Sequence, residues 1–261
     1  MCAGRWVEPD RDRGERVQPE LSLVIPAFNE GRVMRRTLTT LVGLLDGQRR
    51  FEIVVSDDGS TDDTARIVGE MAQADPRIQL VRSQENRGKG HAARLGVEAT
   101  RGRHVLCTDA DLVFGLEHLD DYVAAIDAGA DLALGNRSHP DSRFVLHPKH
   151  FPYLNQRHWM GRIFSWLVRV LVRLDATDTQ CGFKLFRGDV ARKLFAESRI
   201  DGFAYDVEVL FLASKDGCRV VSLPVSISYE GNPSSVRLAR NALPMLLDVL
   251  RIRCDAGRTR K

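Results

Sequence analysis

The sequence predicts an α/β fold built on a doubly wound, mostly parallel, Rossmann-like sheet, with amphipathic helices at its interface edge. Three observations carry that expectation. Short apolar runs alternate with helix-length stretches from residue 21 onward, and polar motifs follow those runs directly. The length of 261 residues, 43% of them hydrophobic, suffices to bury one large core.

The elements follow in order. Strands are expected over residues 21–25, 51–55, 78–81, 104–107 and 131–135, each an apolar run short enough for a strand. Helices are expected between them, over about 30–46, 61–73, 88–100 and 116–128. Asp62 and Asp63 stand where helix starts favour acids, and Gly102 follows the end of another helix. An irregular stretch is expected after residue 135, through Pro152. Residues 156–174 then read as an amphipathic helix with Arg162, Trp166, Arg169 and Arg173 on one stripe. A second such helix is expected over 236–252, with Pro244 splitting it or starting its second half. Residues 1–19 mix charge with Gly and Pro without periodicity and are expected to form a disordered tail. That leaves one domain over 20–253 and a basic tail over 254–261.

Composition narrows the function classes. Five widely spaced cysteines without a CxxC pair indicate neither a disulfide framework nor a zinc site, so a reducing, cytoplasmic setting is expected. No uncharged apolar run approaches the roughly 18 residues that a membrane span needs, and the first twenty residues lack a signal-peptide pattern. The formal charge of +3 is uneven. Residues 143–174 hold six Lys/Arg and no Asp or Glu, and residues 232–261 hold seven against two acids, on an acidic remainder. Such clusters suit a phosphate or a membrane surface. No nucleic-acid recognition motif accompanies them, so nucleic acid is not an expected partner.

Four motifs carry the chemistry: Ile25-Pro26-Ala27-Phe28-Asn29-Glu30, Ser56-Asp57-Asp58-Gly59-Ser60, Asn86-Arg87-Gly88-Lys89-Gly90 and Thr108-Asp109-Ala110-Asp111. Three of them follow strand-like runs, which gathers their polar residues beyond the carboxyl ends of parallel strands, where open α/β sheets bind ligands. Asp109 and Asp111 sit two residues apart and are expected to bind Mg²⁺ or Mn²⁺, bridging the ion to a diphosphate. Asp57 and Asp58 are candidates for hydrogen bonds to a base and ribose. Lys89 and its glycines open a helix whose backbone N–H groups are expected to be free for an anion. Neither a P-loop spacing nor a GxGxxG is present, which argues against a P-loop NTPase and a Rossmann dehydrogenase. The constellation reads as a nucleotide-sugar site.

These ordered motifs resemble the GT-A glycosyltransferases of family 2. In the second half, Asn136-Arg137-Ser138, Asp178-Thr179-Gln180-Cys181-Gly182-Phe183-Lys184 and Phe203-Ala204-Tyr205-Asp206-Val207-Glu208 resemble the dolichyl-phosphate glucosyltransferases, with the dolichyl-phosphate mannose synthases close behind. The resemblance implies transfer of a hexose, with inversion, from a nucleotide sugar to a polyprenyl or dolichyl phosphate. UDP-glucose is favoured as donor over GDP-mannose. A soluble acceptor, or a non-catalytic nucleotide-sugar-binding module, are the alternatives. Nucleotide contacts would fall to Pro26, Phe28, Glu30 and Asp58, and diphosphate and metal contacts to Asp109, Ala110 and Asp111.

A phosphate acceptor has a second pKa near 6, so it is largely dianionic at neutral pH and needs cations more than a base. Arg137 and Arg143 are therefore assigned to the acceptor phosphate or the donor diphosphate, with Lys184 a weaker candidate. Asp111, Arg137 and Asp206 are the expected catalytic residues; Asp206 and Glu208 stand where relatives with hydroxyl acceptors keep their base. Cys181 lacks a neighbouring base and is not expected to be a nucleophile. Two departures from the resemblance are expected: Pro233-Ser234-Ser235 occupies the place of a donor-binding lysine, leaving Arg237 or Arg240 as substitutes, and an amino-terminal anchor like that of eukaryotic relatives is not expected. Access to the cytoplasmic face of a membrane would then depend on the amphipathic helices or on a membrane partner protein.

Overall fold

The computed structural model describes residues 18–146, 168, 170–172, 174, 178–229 and 238–258. The first half alternates strand and helix as β1 (Leu21–Ala27), α1 (Gly31–Leu45), β2 (Phe51–Asp57), α2 (Thr64–Ala74), β3 (Ile78–Arg82), α3 (Lys89–Glu98) and β4 (His104–Cys107). After these come α4 (Leu119–Asp127), β5 (Leu132–Gly135), β6 (Arg143–Leu146), β7 (Lys184–Arg187), α5 (Gly188–Glu197), α6 (Tyr205–Lys215), β8 (Val220–Leu223), β9 (Ser226–Tyr229) and α7 (Leu238–Arg258).

Seven strands form the central sheet in the order β3-β2-β1-β4-β7-β5-β8. Only β7 runs antiparallel, between β4 and β5. Strand β1 shows why the sheet is buried on both faces. Leu21, Leu23 and Ile25 point to one side, against Leu38, Leu41 and Leu45 of α1 and Val68 of α2. Val24 points to the other, where Ala93 and Val97 of α3, Leu194 of α5, Leu210 of α6 and Val249 of α7 complete a second core.

Register positions the site. Ala27 pairs with Asp57, and Val24 pairs with Cys107, so β1, β2 and β4 end side by side. A small parallel sheet of β6 and β9 lies beyond this edge, linked to it by a bridge between Phe114 and Ile227.

Several expectations are corrected. The stretch after residue 135 is not irregular throughout, because β6 forms within it; four residues show no usable period, and their partner β9 lies about eighty residues downstream. The later helix runs unbroken through Pro244 and on to Arg258, beyond the boundary expected at 253. Gln18 and Pro19, expected in the tail, are tied to the domain: Arg103 N donates to the Pro19 carbonyl (3.1 Å) and Gln18 Nε2 to the Arg101 carbonyl (2.9 Å). Most of the helix expected over 156–174, with Arg162, Trp166, Arg169 and Arg173, lies outside the described residues, as do residues 1–17. Of its described residues Val168, Val172 and Leu174 are buried in the second core and Val170 is exposed.

Candidate active site

The first two motifs are stitched together across β1 and β2. Asn29 adopts φ 57°, a left-handed conformation that asparagine tolerates better than most residues. Its side-chain oxygen accepts from Thr61 N (2.9 Å) and Asp62 N (3.3 Å), while Ser60 Oγ accepts from Asn29 N (2.8 Å). Glu30 N then donates to Thr64 Oγ1 (2.8 Å) and Gly31 N to Asp62 Oδ2 (3.0 Å). Pro26, Phe28 and Glu30 are thereby fixed at the rim, with the Phe28 ring exposed.

The acids of the second motif point inward. Asp57 accepts from Ser60 N (3.1 Å) and stands 2.9 Å from Arg82 Nε. Asp58 is buried; its Oδ2 accepts from Arg87 N (3.0 Å) and Gly88 N (2.6 Å), and its Oδ1 meets His91 Nδ1 at 3.0 Å. Across the loop, the Asp201 carbonyl accepts from Gly90 N (2.8 Å) and His91 N (3.2 Å). The sequence led us to expect free backbone N–H groups at the start of α3, whereas those of Arg87, Gly88, Gly90 and His91 are all engaged within the protein. They are spent on holding the loop, and the cation it delivers is Lys89.

Lys89 Nζ lies 2.5 Å from Asp109 Oδ1. Burial opposes its charge, but the carboxylates of Asp109, Asp206 and Asp111 outweigh that and hold the ammonium above the ordinary lysine range. Asp109 is also crowded from the far side, since a Cβ on Gly182 would collide with its carboxylate. The Ala110 carbonyl accepts from Thr37 Oγ1 of α1 (2.6 Å). Asp111 is more open, with one hydrogen bond, from Val113 N at 3.3 Å, and burial together with the Asp109 charge raises its pKa. Glu30 is pushed up to about 7 by burial and then by Asp111, Asp109 and Asp62.

This excess of negative charge fits a divalent cation. Asp109 and Asp111 are hard oxygen donors, and the raised pKa of Asp111 records charge that a cation would relieve. Among the described residues no group of three or more His, Cys, Asp or Glu side chains could hold a metal unaided. The pair suits an ion that completes its shell with phosphate oxygens and water, as Mg²⁺ characteristically does.

The second half adds two ion pairs. Asp178 is buried and grips Arg137 in a fork, with Nε to Oδ2 at 2.7 Å and Nη2 to Oδ1 at 2.8 Å. Despite burial, that fork lowers the Asp178 pKa. Lys184, expected as a weaker candidate near an acceptor phosphate, is instead buried and gives its ammonium to Asp206 Oδ1 (2.7 Å) and to the Cys181 carbonyl. Arg143 opens β6 and is exposed. Glu208 accepts from Arg199 N (2.9 Å) and Ile200 N (2.8 Å). Burial pushes the Cys107 and Cys181 thiols up to about 12, which leaves both inert as nucleophiles at neutral pH.

The four motifs and the Asp206 segment thus converge on one edge. Sequence reasoning missed Asn29 and His91, which sit inside or beside quoted motifs, and Asp201, which no local pattern marks. Residues 22–195 match the model of glycosyl transferase family 2.

The chain belongs to that family. Glycosyltransferase AglD of Haloferax volcanii is 33% identical over 236 residues, covering 89% of this chain and 36% of its own length. The dolichyl-phosphate beta-glucosyltransferases of Dictyostelium discoideum and Saccharomyces cerevisiae are each 31% identical, covering 89% of this chain and 73% and 74% of theirs. Among solved structures, glucosyl-3-phosphoglycerate synthase from Mycobacterium tuberculosis, in complex with UDP, aligns with a TM-score of 0.62 at 18% identity, over 90% of this chain and 80% of that one. The mannosyltransferase PcManGT from Pyrobaculum calidifontis aligns with a TM-score of 0.53 at 20% identity, over 86% and 60%. These likenesses establish the fold as that of the GT-A glycosyltransferases.

Proposed function

We propose that this family 2 enzyme transfers glucose from UDP-glucose to a polyprenyl phosphate of the dolichyl type, with inversion, at the cytoplasmic surface of a membrane. The relatives named dolichyl-phosphate beta-glucosyltransferase support the donor sugar and the lipid. The observation that carries the acceptor class is the state of Asp206 and Glu208. Asp206 is committed to Lys184, and Glu208 to the backbone of Arg199 and Ile200. Neither stands ready to take a proton from a hydroxyl, and a phosphate dianion has no proton to give up.

In this reading Pro26, Phe28, Glu30, Asp57 and Asp58 shape the nucleotide end of the site. Asp109, Ala110, Asp111 and Lys89 hold the diphosphate end. Asp109 and Asp111 would hold Mg²⁺ or Mn²⁺, which when bound stabilises the charge of a departing diphosphate. Lys89 supplies a fixed positive charge to the same group without needing to reorganise. Arg137, oriented by Asp178, and Arg143 receive the acceptor phosphate and aim its oxygen at the anomeric carbon, with orientation rather than proton transfer lowering the barrier.

The membrane surface is supported by α7. Val249 and Ile252 pack it onto the domain, while Leu243, Leu247 and Leu250 are exposed along the opposite stripe, with exposed Arg251 and Arg253 to either side. Among the described residues no helix is long and apolar enough to cross a membrane.

The test is transfer of labelled sugar from UDP-glucose and, separately, GDP-mannose to a polyprenyl phosphate in detergent with Mg²⁺ or Mn²⁺. Lipid-extractable glucose is the expected product. Mannose transfer would overturn the donor, and transfer to water-soluble acceptors alone would overturn the lipid.

A further inference from the structure

The loop before α3, which carries Lys89 toward Asp109, is held from two sides, and one of those sides lies more than a hundred residues away in the chain. Asp201 grips this loop with two different groups. Its carbonyl accepts from Gly90 N (2.8 Å) and His91 N (3.2 Å), fixing the first turn of α3. Its carboxylate binds Arg87 Nη2 at 2.8 Å and also Arg94 Nη2, the first two residues before α3 and the second in its second turn. Burial opposes the Asp201 charge, but the two guanidinium groups prevail and lower its pKa. Gly88 has φ 126°, and a Cβ there would collide with the Asp201 carbonyl oxygen, so the contact is backbone against backbone.

Asp201 is itself anchored. Glu208 of α6 accepts from Arg199 N and Ile200 N, which fixes the approach to Asp201. A continuous path therefore runs from α6 through residues 199–201 to the start of α3 and on to the Lys89 ammonium. The opposing side is closed by Asp58, which accepts from Arg87 N and Gly88 N.

We propose that Asp201 is a positioning residue for donor binding, whose carboxylate sets the place of Lys89 by locking Arg87 and Arg94 across the loop. The inference rests on the reading of Lys89 as a ligand of the donor diphosphate. A cation held by such a clamp is worth more to a diphosphate than one on a mobile loop, because the cost of fixing it is met in folding.

Asp201→Asn keeps the backbone contacts and removes the charge. Its UDP affinity in the presence of Mn²⁺, measured by titration calorimetry on the full chain, is expected to fall about tenfold, and by less than about twofold when Lys89 is already Met. Arg87→Met with Arg94→Met breaks the same clamp from the other side and is expected to reproduce the loss, with thermal unfolding reporting that each variant is folded. Equal losses in both backgrounds, or wild-type affinity in Asp201→Asn, would overturn the proposal. A separate readout is amide exchange in residues 87–91, expected to be about tenfold faster in Asp201→Asn as the loop opens more often. Unchanged exchange would overturn the clamp itself, whereas a wild-type chain that binds neither UDP nor GDP would overturn the donor reading and leave exchange to decide the clamp.

Discussion

Lys184 Nζ lies 2.7 Å from Asp206 Oδ1, and both side chains are buried where β7 meets the first turn of α6. Lys184 sits on the one antiparallel strand of the sheet, in register with Cys107 of β4, so the pair ties the active-site edge to the second half of the chain. Removing one partner strands a buried charge. Lys184→Met is expected to cost about 3–5 kcal/mol of stability, and Lys184→Met with Asp206→Leu to recover most of it. Urea unfolding of the three proteins checks this.

Asp111→Asn separates function from stability. Burial and the neighbouring Asp109 raise the Asp111 pKa, so its charge burdens the fold in the absence of a cation. The variant is expected to unfold at the same or a higher temperature than wild type while losing Mn²⁺-dependent UDP binding, with transfer down by about a hundredfold or more. Calorimetry and the transfer assay on one preparation test both halves.

Glu30 makes the metal-free protein sensitive to pH. Its carboxyl is pushed up to about 7 by burial and by Asp111, Asp109 and Asp62, against an ordinary value of 4.5. The native state thus holds the proton more tightly than the unfolded chain, and stability is expected to fall as pH rises from about 4.5 to about 7. Glu30→Gln should flatten that fall. Because the group is only half-buried and solvent screens it, the gain at pH 8 is expected to be about 1 kcal/mol, or roughly 2–4 °C in Tm. Thermal melts of both proteins across pH 4 to 8 in a chelator measure it.

The exposed stripe of α7 predicts where the lipid surface binds. Replacing Leu243, Leu247 and Leu250 together with Ser is expected to lower partitioning onto vesicles of anionic lipid by about a hundredfold, from the apolar area each leucine would bury. UDP binding should be unchanged. Equal sedimentation of both proteins with vesicles would show that α7 does not carry the contact.

The legible part of the site was the part written as contiguous motifs. Asp109-Ala110-Asp111 follows the buried strand β4 and Asp57-Asp58 lies at the end of β2, and the placement of a loop after a parallel strand is a property of the local chain. Asn29 was visible within its motif, but its role as the stitch to Thr61 and Asp62 depends on β1 lying beside β2. The four-residue strands β6, β7, β8 and β9 went unassigned because they are too short to display a period and, unlike β4 and β5, lie outside the regular strand–helix alternation of the first half.

By itself the sequence determined the layered α/β architecture and the edge at which its motifs and their acids gather, since strand period and motif order are encoded within a few residues of one another. Only the tertiary structure decided how those groups are charged and held. Asp58 turned inward to bind a loop, Lys184 was buried against Asp206, and Asp201 came from the far half of the chain to clamp the loop that carries Lys89. Hydrogen bonds and ion pairs act over about 3 Å, and which groups come that close depends on packing between segments that no local pattern relates.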